Sequence, residues 1–174
     1  MIQKKTLTPI ILAGIFFIML SLSFAAVPLY DLFCRVTGFG GTTQISKEAP
    51  KIILDKKISV RFDTNVNKLP WSFKVKNNVV DIKIGKVGKV EFEVENYSDK
   101  LTYGVASFNV SPSSLGQYFN KLGCFCFEKQ KLEAGEKAKY ILSFYLDPEL
   151  VNDLNTKNLE DVTLSYTFFS SDYY

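Results

Sequence analysis

Three side chains in this 174-residue chain can ligate a soft metal or exchange disulfides: Cys34, Cys124 and Cys126. There is no histidine, so mechanisms that need imidazole as base, nucleophile partner or ligand are excluded. The usual two-histidine and three-histidine zinc sites are excluded with them. An odd cysteine count cannot be fully paired within one chain, which leaves a free thiol, an intermolecular bridge or metal ligation. Two of the three stand in Cys124-Phe125-Cys126-Phe127. On an extended backbone side chains alternate, which would put both sulfurs on one face and both rings on the other. The Cα atoms would then lie roughly 6–7 Å apart, close enough for two sulfurs to close on one ion. Thiolates select Cu(I), zinc or iron–sulfur clusters. Zinc and the clusters call for four ligands, which one such chain cannot supply. Cu(I) accepts two or three sulfurs, so the residue counts favour it.

Two other readings of the pair stay open. A cysteine beside phenylalanines can be a small hydrophobe in a core strand. A disulfide between residues two apart would be strained and reducible, which suits thiol exchange. Gly123 and the turn-rich run Ser111-Pro112-Ser113-Ser114-Leu115-Gly116 suggest a loop or strand start near the surface.

The elements that must position these thiols can be read from charge and hydropathy. Of the 21 basic residues only Lys4 and Lys5 precede Asp31, so residues 31–174 hold 19 basic against 18 acidic groups. No basic stripe is left to bind nucleic acid. From Thr6 to Tyr30 nothing is charged, and residues 9–30 would span roughly 33 Å as a helix, enough to cross a hydrocarbon core. Pro9 suits a first helical turn, Pro28 marks the end or a kink, and Tyr30 suits the headgroup level. A cleaved signal peptide is the rival reading, with Ser23-Phe24-Ala25 as its small-x-small site, but the apolar run is longer than a signal core. Either way the lysines stay inside and the rest of the chain crosses.

Residues 31–49, with Gly38, Gly40, Gly41 and Cys34, read as a flexible juxtamembrane linker after a short N-terminus (1–8) and the anchor (9–30). Over 50–174 the pattern has period two. Ile58, Val60 and Phe62 alternate with polar residues, as do Trp71, Phe73 and Val75, then Val90, Phe92 and Val94. Ala138, Tyr140, Leu142 and Phe144 repeat it, and Val162, Leu164, Tyr166 and Phe168 close it. Alternation predicts half-buried antiparallel strands, seven or eight in all, packed as an all-β, immunoglobulin-like sandwich. A helical turn is expected within 148–158.

The run Tyr118-Phe119-Asn120-Lys121-Leu122-Gly123-Cys124-Phe125-Cys126-Phe127, with Gln130, Leu132 and Gly135-Glu136, resembles the copper-delivery assembly factors of cytochrome c oxidase. The resemblance extends to Val27-Pro28-Leu29-Tyr30, Phe33-Cys34, Thr37-Gly38, Gly40-Gly41-Thr42, Asn109-Val110-Ser111-Pro112, Asp147-Pro148-Glu149 and Leu164-Ser165-Tyr166-Thr167-Phe168-Phe169. It implies a non-enzymatic, single-pass copper chaperone that carries Cu(I) to the CuB centre in the oxidase's largest subunit. Cys124 and Cys126 match the paired copper thiolates of that family, and Cys34 its membrane-proximal cysteine, a third ligand or a redox partner. Gly123 departs from the larger side chain expected before the first cysteine. A homodimer would resolve the odd count, offering six thiols in place of three. The N-terminus lacks an Arg- and Ser-rich transit peptide, which favours a bacterial inner-membrane protein with a periplasmic domain over a mitochondrial one. Tyr118, Phe119, Phe125 and Phe127 are candidates to shield the ion or to dock a partner, with core packing expected for at least two of them.

Overall fold

The computed structural model describes residues 4–37, 43–46, 48–123 and 129–171. One long helix, α1 (Lys4–Thr37), precedes ten strands. These are β1 (Gln44–Ile45), β2 (Lys57–Asn67), β3 (Trp71–Val75), β4 (Val79–Lys83), β5 (Gly88–Asn96), β6 (Thr102–Ser111), β7 (Phe119–Gly123), β8 (Gln130–Leu132), β9 (Lys137–Leu146) and β10 (Asp161–Ser170). Two 3-10 turns, Ser113–Tyr118 and Pro148–Val151, flank the β6–β7 and β9–β10 connections, the second within the stretch expected to turn.

Helix α1 runs further than its apolar pattern implies, starting before Pro9 and passing through Pro28 to Thr37. The first seven residues of the expected linker are therefore helical. A proline removes a single backbone bond, and where no water competes a helix keeps every other backbone group satisfied. The segment Thr8–Cys34 is long and apolar enough to cross a membrane, and its large side chains are exposed around the whole circumference. That exposure fits a single-pass anchor buried by lipid.

The strands form a sandwich of two five-stranded sheets, ordered β1-β7-β9-β5-β3 and β4-β2-β10-β6-β8. The alternating residues face inward as expected: Ile58, Val60, Phe62, Val90, Phe92, Val94, Leu142, Leu164 and Tyr166 are buried, and Tyr140 packs half-buried against them. Aromatic rings fill the space between the sheets. Phe92 meets Phe62 and Tyr166 of the opposite sheet and Phe73 of its own, with centroids 5.4–6.1 Å apart, and Phe119 stacks on its sheet neighbour Phe144 at 5.1 Å. Each fully buried ring contributes about 2–3 kcal/mol through area removed from water.

Two pairings depart from the antiparallel expectation. β10 lies parallel to β2 along nine residue pairs, and β1 lies parallel to β7. Parallel partners need a long crossover, so periodicity within a segment carries no trace of them. Gly85 (φ 82°) turns the chain after β4, where a Cβ would sit 2.0 Å from the Ile52 carbonyl oxygen, so only glycine fits.

Candidate metal centre

Residues 124–128, and with them Cys124, Cys126, Phe125 and Phe127, lie outside the described residues, but both anchor points of that segment are defined. β7 delivers the chain to Gly123. It is held on one side by β9, with Phe119 opposite Leu146 and Lys121 opposite Phe144, and on the other by β1. The register slips between Lys121 and Gly123, where Gly123 faces Ser143. A bulge re-aims a strand where pairing ends, and glycine accommodates it. The small residue that departs from the expected pattern therefore has a structural reason at this place.

β8 receives the chain on the other sheet, at the edge beside β6. The cysteine segment thus crosses from one sheet to the other, between strands three and five residues long. Its receiving end is locked by two contacts. The Tyr140 hydroxyl donates to Gln130 Oε1 at 3.0 Å. The fully buried Asn96 amide donates to the carbonyls of Lys100, Leu132 and Glu133 and accepts from Ser98, which binds the end of β8 to the end of β5. Buried polar groups satisfied this completely hold one geometry.

Of the aromatic candidates, Phe119 is core, and Tyr118 packs half-buried against it with its hydroxyl donating to Asp153 Oδ2 at 3.0 Å. Burial raises the Tyr118 phenol above its ordinary value, and the Asp153 carboxylate adds to the effect. Both are packing residues, as expected for two of the four.

A residue that sequence reasoning passed over is Lys121, three positions before Cys124. It is 1% exposed, with Nζ 2.8 Å from the Phe108 ring centroid and 5.6 Å from that of Tyr166. Burial pushes its amine down to about 6. Burial lowers the amine in spite of the ring faces, which favour the ammonium by about 2 kcal/mol or more when desolvated. The signal available in advance was position alone: period two places Lys121 on the same face as Phe119.

Cys34 sits on the last turns of α1, half-exposed, at the end of the apolar span and one helical turn beyond Tyr30. The covalent path from it to the cysteine strand is short. Thr37 and Thr43 are six residues apart, at most ~20 Å of extended chain. β1 then pairs directly with β7, Gln44 opposite Asn120, and Ser46 N–H donates to the Lys121 carbonyl at 3.0 Å. The chain that leaves the helix carrying Cys34 is thus hydrogen-bonded to the strand that delivers Cys124 and Cys126.

Residues 26–170 match the family described as cytochrome c oxidase assembly protein CtaG/Cox11. A protein of that name from Chelativorans sp. (strain BNC1) is 48% identical over 157 residues, 90% of this chain and 78% of the relative. Those from Roseobacter denitrificans and Brucella ovis are also 48% identical, over 87% and 90% of this chain and 79% of each relative.

Proposed function

The chain belongs to the cytochrome c oxidase assembly protein CtaG/Cox11 family, and from that premise we propose that it is a copper chaperone. It binds Cu(I) through Cys124 and Cys126, with Cys34 as third ligand or redox partner, and delivers it to the CuB site in the oxidase's largest subunit. Copper is cargo in this reading, and the chain catalyses no reaction. The observation that carries it is the pair of thiols two residues apart in the sequence just after β7, the strand to which the tether of Cys34 is bonded.

Two thiolates supply affinity for a soft ion, and the unfilled coordination position lets an incoming ligand bind before an outgoing one leaves. Copper then moves from sulfur to the imidazoles of the acceptor by stepwise exchange. The anchor holds donor and acceptor in one bilayer, which raises their effective concentration without any new contact. Lys4 and Lys5 keep the N-terminus cytoplasmic and the sandwich periplasmic at a bacterial inner membrane. A homodimer pools six thiols.

Metal analysis of the reduced full-length protein tests the proposal. The native chain retains Cu(I) and a Cys124→Ser/Cys126→Ser chain does not; copper retained by that variant overturns the ligand assignment. Cys34→Ala binds Cu(I) yet fails to support CuB occupancy in cells that hold no other copy. Oxidase assembly sustained by metal-free protein would favour the competing reading, a membrane-anchored thiol–disulfide reductant.

A further inference from the structure

The end of the sandwich where β2 and β10 begin carries an apolar surface that the copper chemistry does not use. Ile52, Ile53 and Leu154 are 63%, 57% and 78% exposed there. The segments that carry them meet at this end: Lys56 Nζ donates to the Lys157 carbonyl, and Ser59 N–H to that of Glu160, joining the approach to β2 to the approach to β10. Nor are these side chains on a loose loop. Leu54 N–H donates to the Ile84 carbonyl at 2.9 Å, and the Ile52 carbonyl lies in the cradle that requires glycine at 85. Packed backbone holds the two isoleucines outward.

The tether reaches the sandwich at this same end. β1 runs parallel to β7, and β7 starts here, where Phe119 faces Leu146 and the Leu146 carbonyl accepts from Gly85 N–H. Thr43, the residue before β1, is buried at that level. With six residues from Thr37 to Thr43, this end can stand no more than ~20 Å from the helix terminus. We propose that it rests in the headgroup layer of the membrane crossed by α1, with Ile52, Ile53 and Leu154 inserted among the lipids. The proposal rests on the anchor reading of α1 and is independent of copper.

Charges of both signs surround it, among them Lys51, Lys56, Lys83 and Lys157 and Asp55, Asp153 and Glu160, so no single sign draws it to a charged partner and the contact proposed is apolar. Its functional consequence is height. Gly123 stands four residues up β7 from Phe119, about 13 Å at ~3.3 Å per residue, so docking fixes how far above the bilayer β7 ends.

The test uses full-length chains, with Cys34, Cys124 and Cys126 replaced by serine, in phosphatidylethanolamine–phosphatidylglycerol vesicles. A fluorophore is placed through Ile53→Cys or through Asp99→Cys, the latter in the exposed turn beyond β5 at the far end. Flotation with vesicles after alkaline carbonate isolates the anchor: protein that fails to float refutes the anchor, and with it the docking. For floating protein, spin-labelled lipid headgroups extinguish emission at position 53 and not at 99, and added Ile52→Ser/Leu154→Ser abolishes that loss. Equal emission at both positions overturns the docking alone. So does shielding of position 53 that scales with protein-to-lipid ratio, which identifies a second copy, or that needs added oxidase, which identifies a protein partner.

Discussion

β5 and β7 belong to the same sheet, on either side of β9, yet they are built by different rules. In β5, Val90, Phe92 and Val94 face the core, while Lys89, Glu91, Glu93 and Glu95 face out, where Lys139 bridges Glu91 at 2.8 Å and Glu93 at 3.5 Å. In β7 three consecutive residues are buried, Phe119, Asn120 and Lys121, and two of them are polar. Tyr145, opposite Asn120, is buried too, so this corner of the sheet is covered on both faces. A strand that only builds a core follows the period of the pleat. The strand that delivers the thiols departs from it, with a buried amine, a register slip and a terminal glycine within five residues. Departures from local rules concentrate where function is carried.

The largest expected effect lies on the β5 side. Phe92→Ala removes a ring that contacts Phe62, Phe73 and Tyr166 and should cost about 3–5 kcal/mol in urea unfolding of the detergent-solubilised chain. The copper stoichiometry of the protein that remains folded should not change. An equal loss of copper per folded chain would erase the distinction between scaffold strand and site strand.

Lys121→Met comes next and reads out in pH. The folded amine titrates at about 6 and the unfolded one at the ordinary 10.5, so the unfolded chain holds more protons between those values. Stability is therefore lowest below pH 6 and rises through that window by up to about 1.4 kcal/mol per unit. The methionine variant should lose this slope and gain stability most at acid pH. An unchanged slope would show that Lys121 stays charged in the fold, stabilised by the Phe108 and Tyr166 rings.

The smallest effect is expected at the outer charge ladder of β5. The Lys139 ammonium beside Glu91 holds its carboxyl below the usual range, yet both groups are exposed and screened. Glu91→Gln should leave the urea midpoint at 0.15 M salt where it was. A clear drop would mean that the outer face of β5 also contributes to the fold.

Most of the scaffold was legible because its inward positions repeat every second residue over long strands: Ile58 to Phe62, Val90 to Val94 and Val162 to Phe168 are all inward. The anchor was legible too, though not its extent, because prolines at 9 and 28 read as boundaries in water and not in lipid. The short strands β1 and β8 were not legible. Two or three residues carry no period, and both are held by pairing with chain far away in sequence. At the candidate site the thiols were evident from residue type, whereas Lys121 and Asn96 were not. Their roles depend on what the opposite sheet or a distant turn brings against them, which no spacing within a segment encodes.

The parallel register of β2 and β10 also bears on how the protein is made. β10 lies between β2 and β6, and its partners are bonded to it, not to each other. Until residues 161–170 leave the ribosome, that sheet is two separate pairs, β4 with β2 and β6 with β8. β7, which leads to Cys124 and Cys126, then has no complete opposite sheet to pack against. Lys121 lacks the Tyr166 ring, whose centroid lies 5.6 Å from its amine in the finished fold. Completion of the wall opposite β7 is thereby deferred to the last strand of the sandwich to be synthesised. A chain interrupted before Asp161 would leave β7 facing two strand pairs that nothing joins into a sheet.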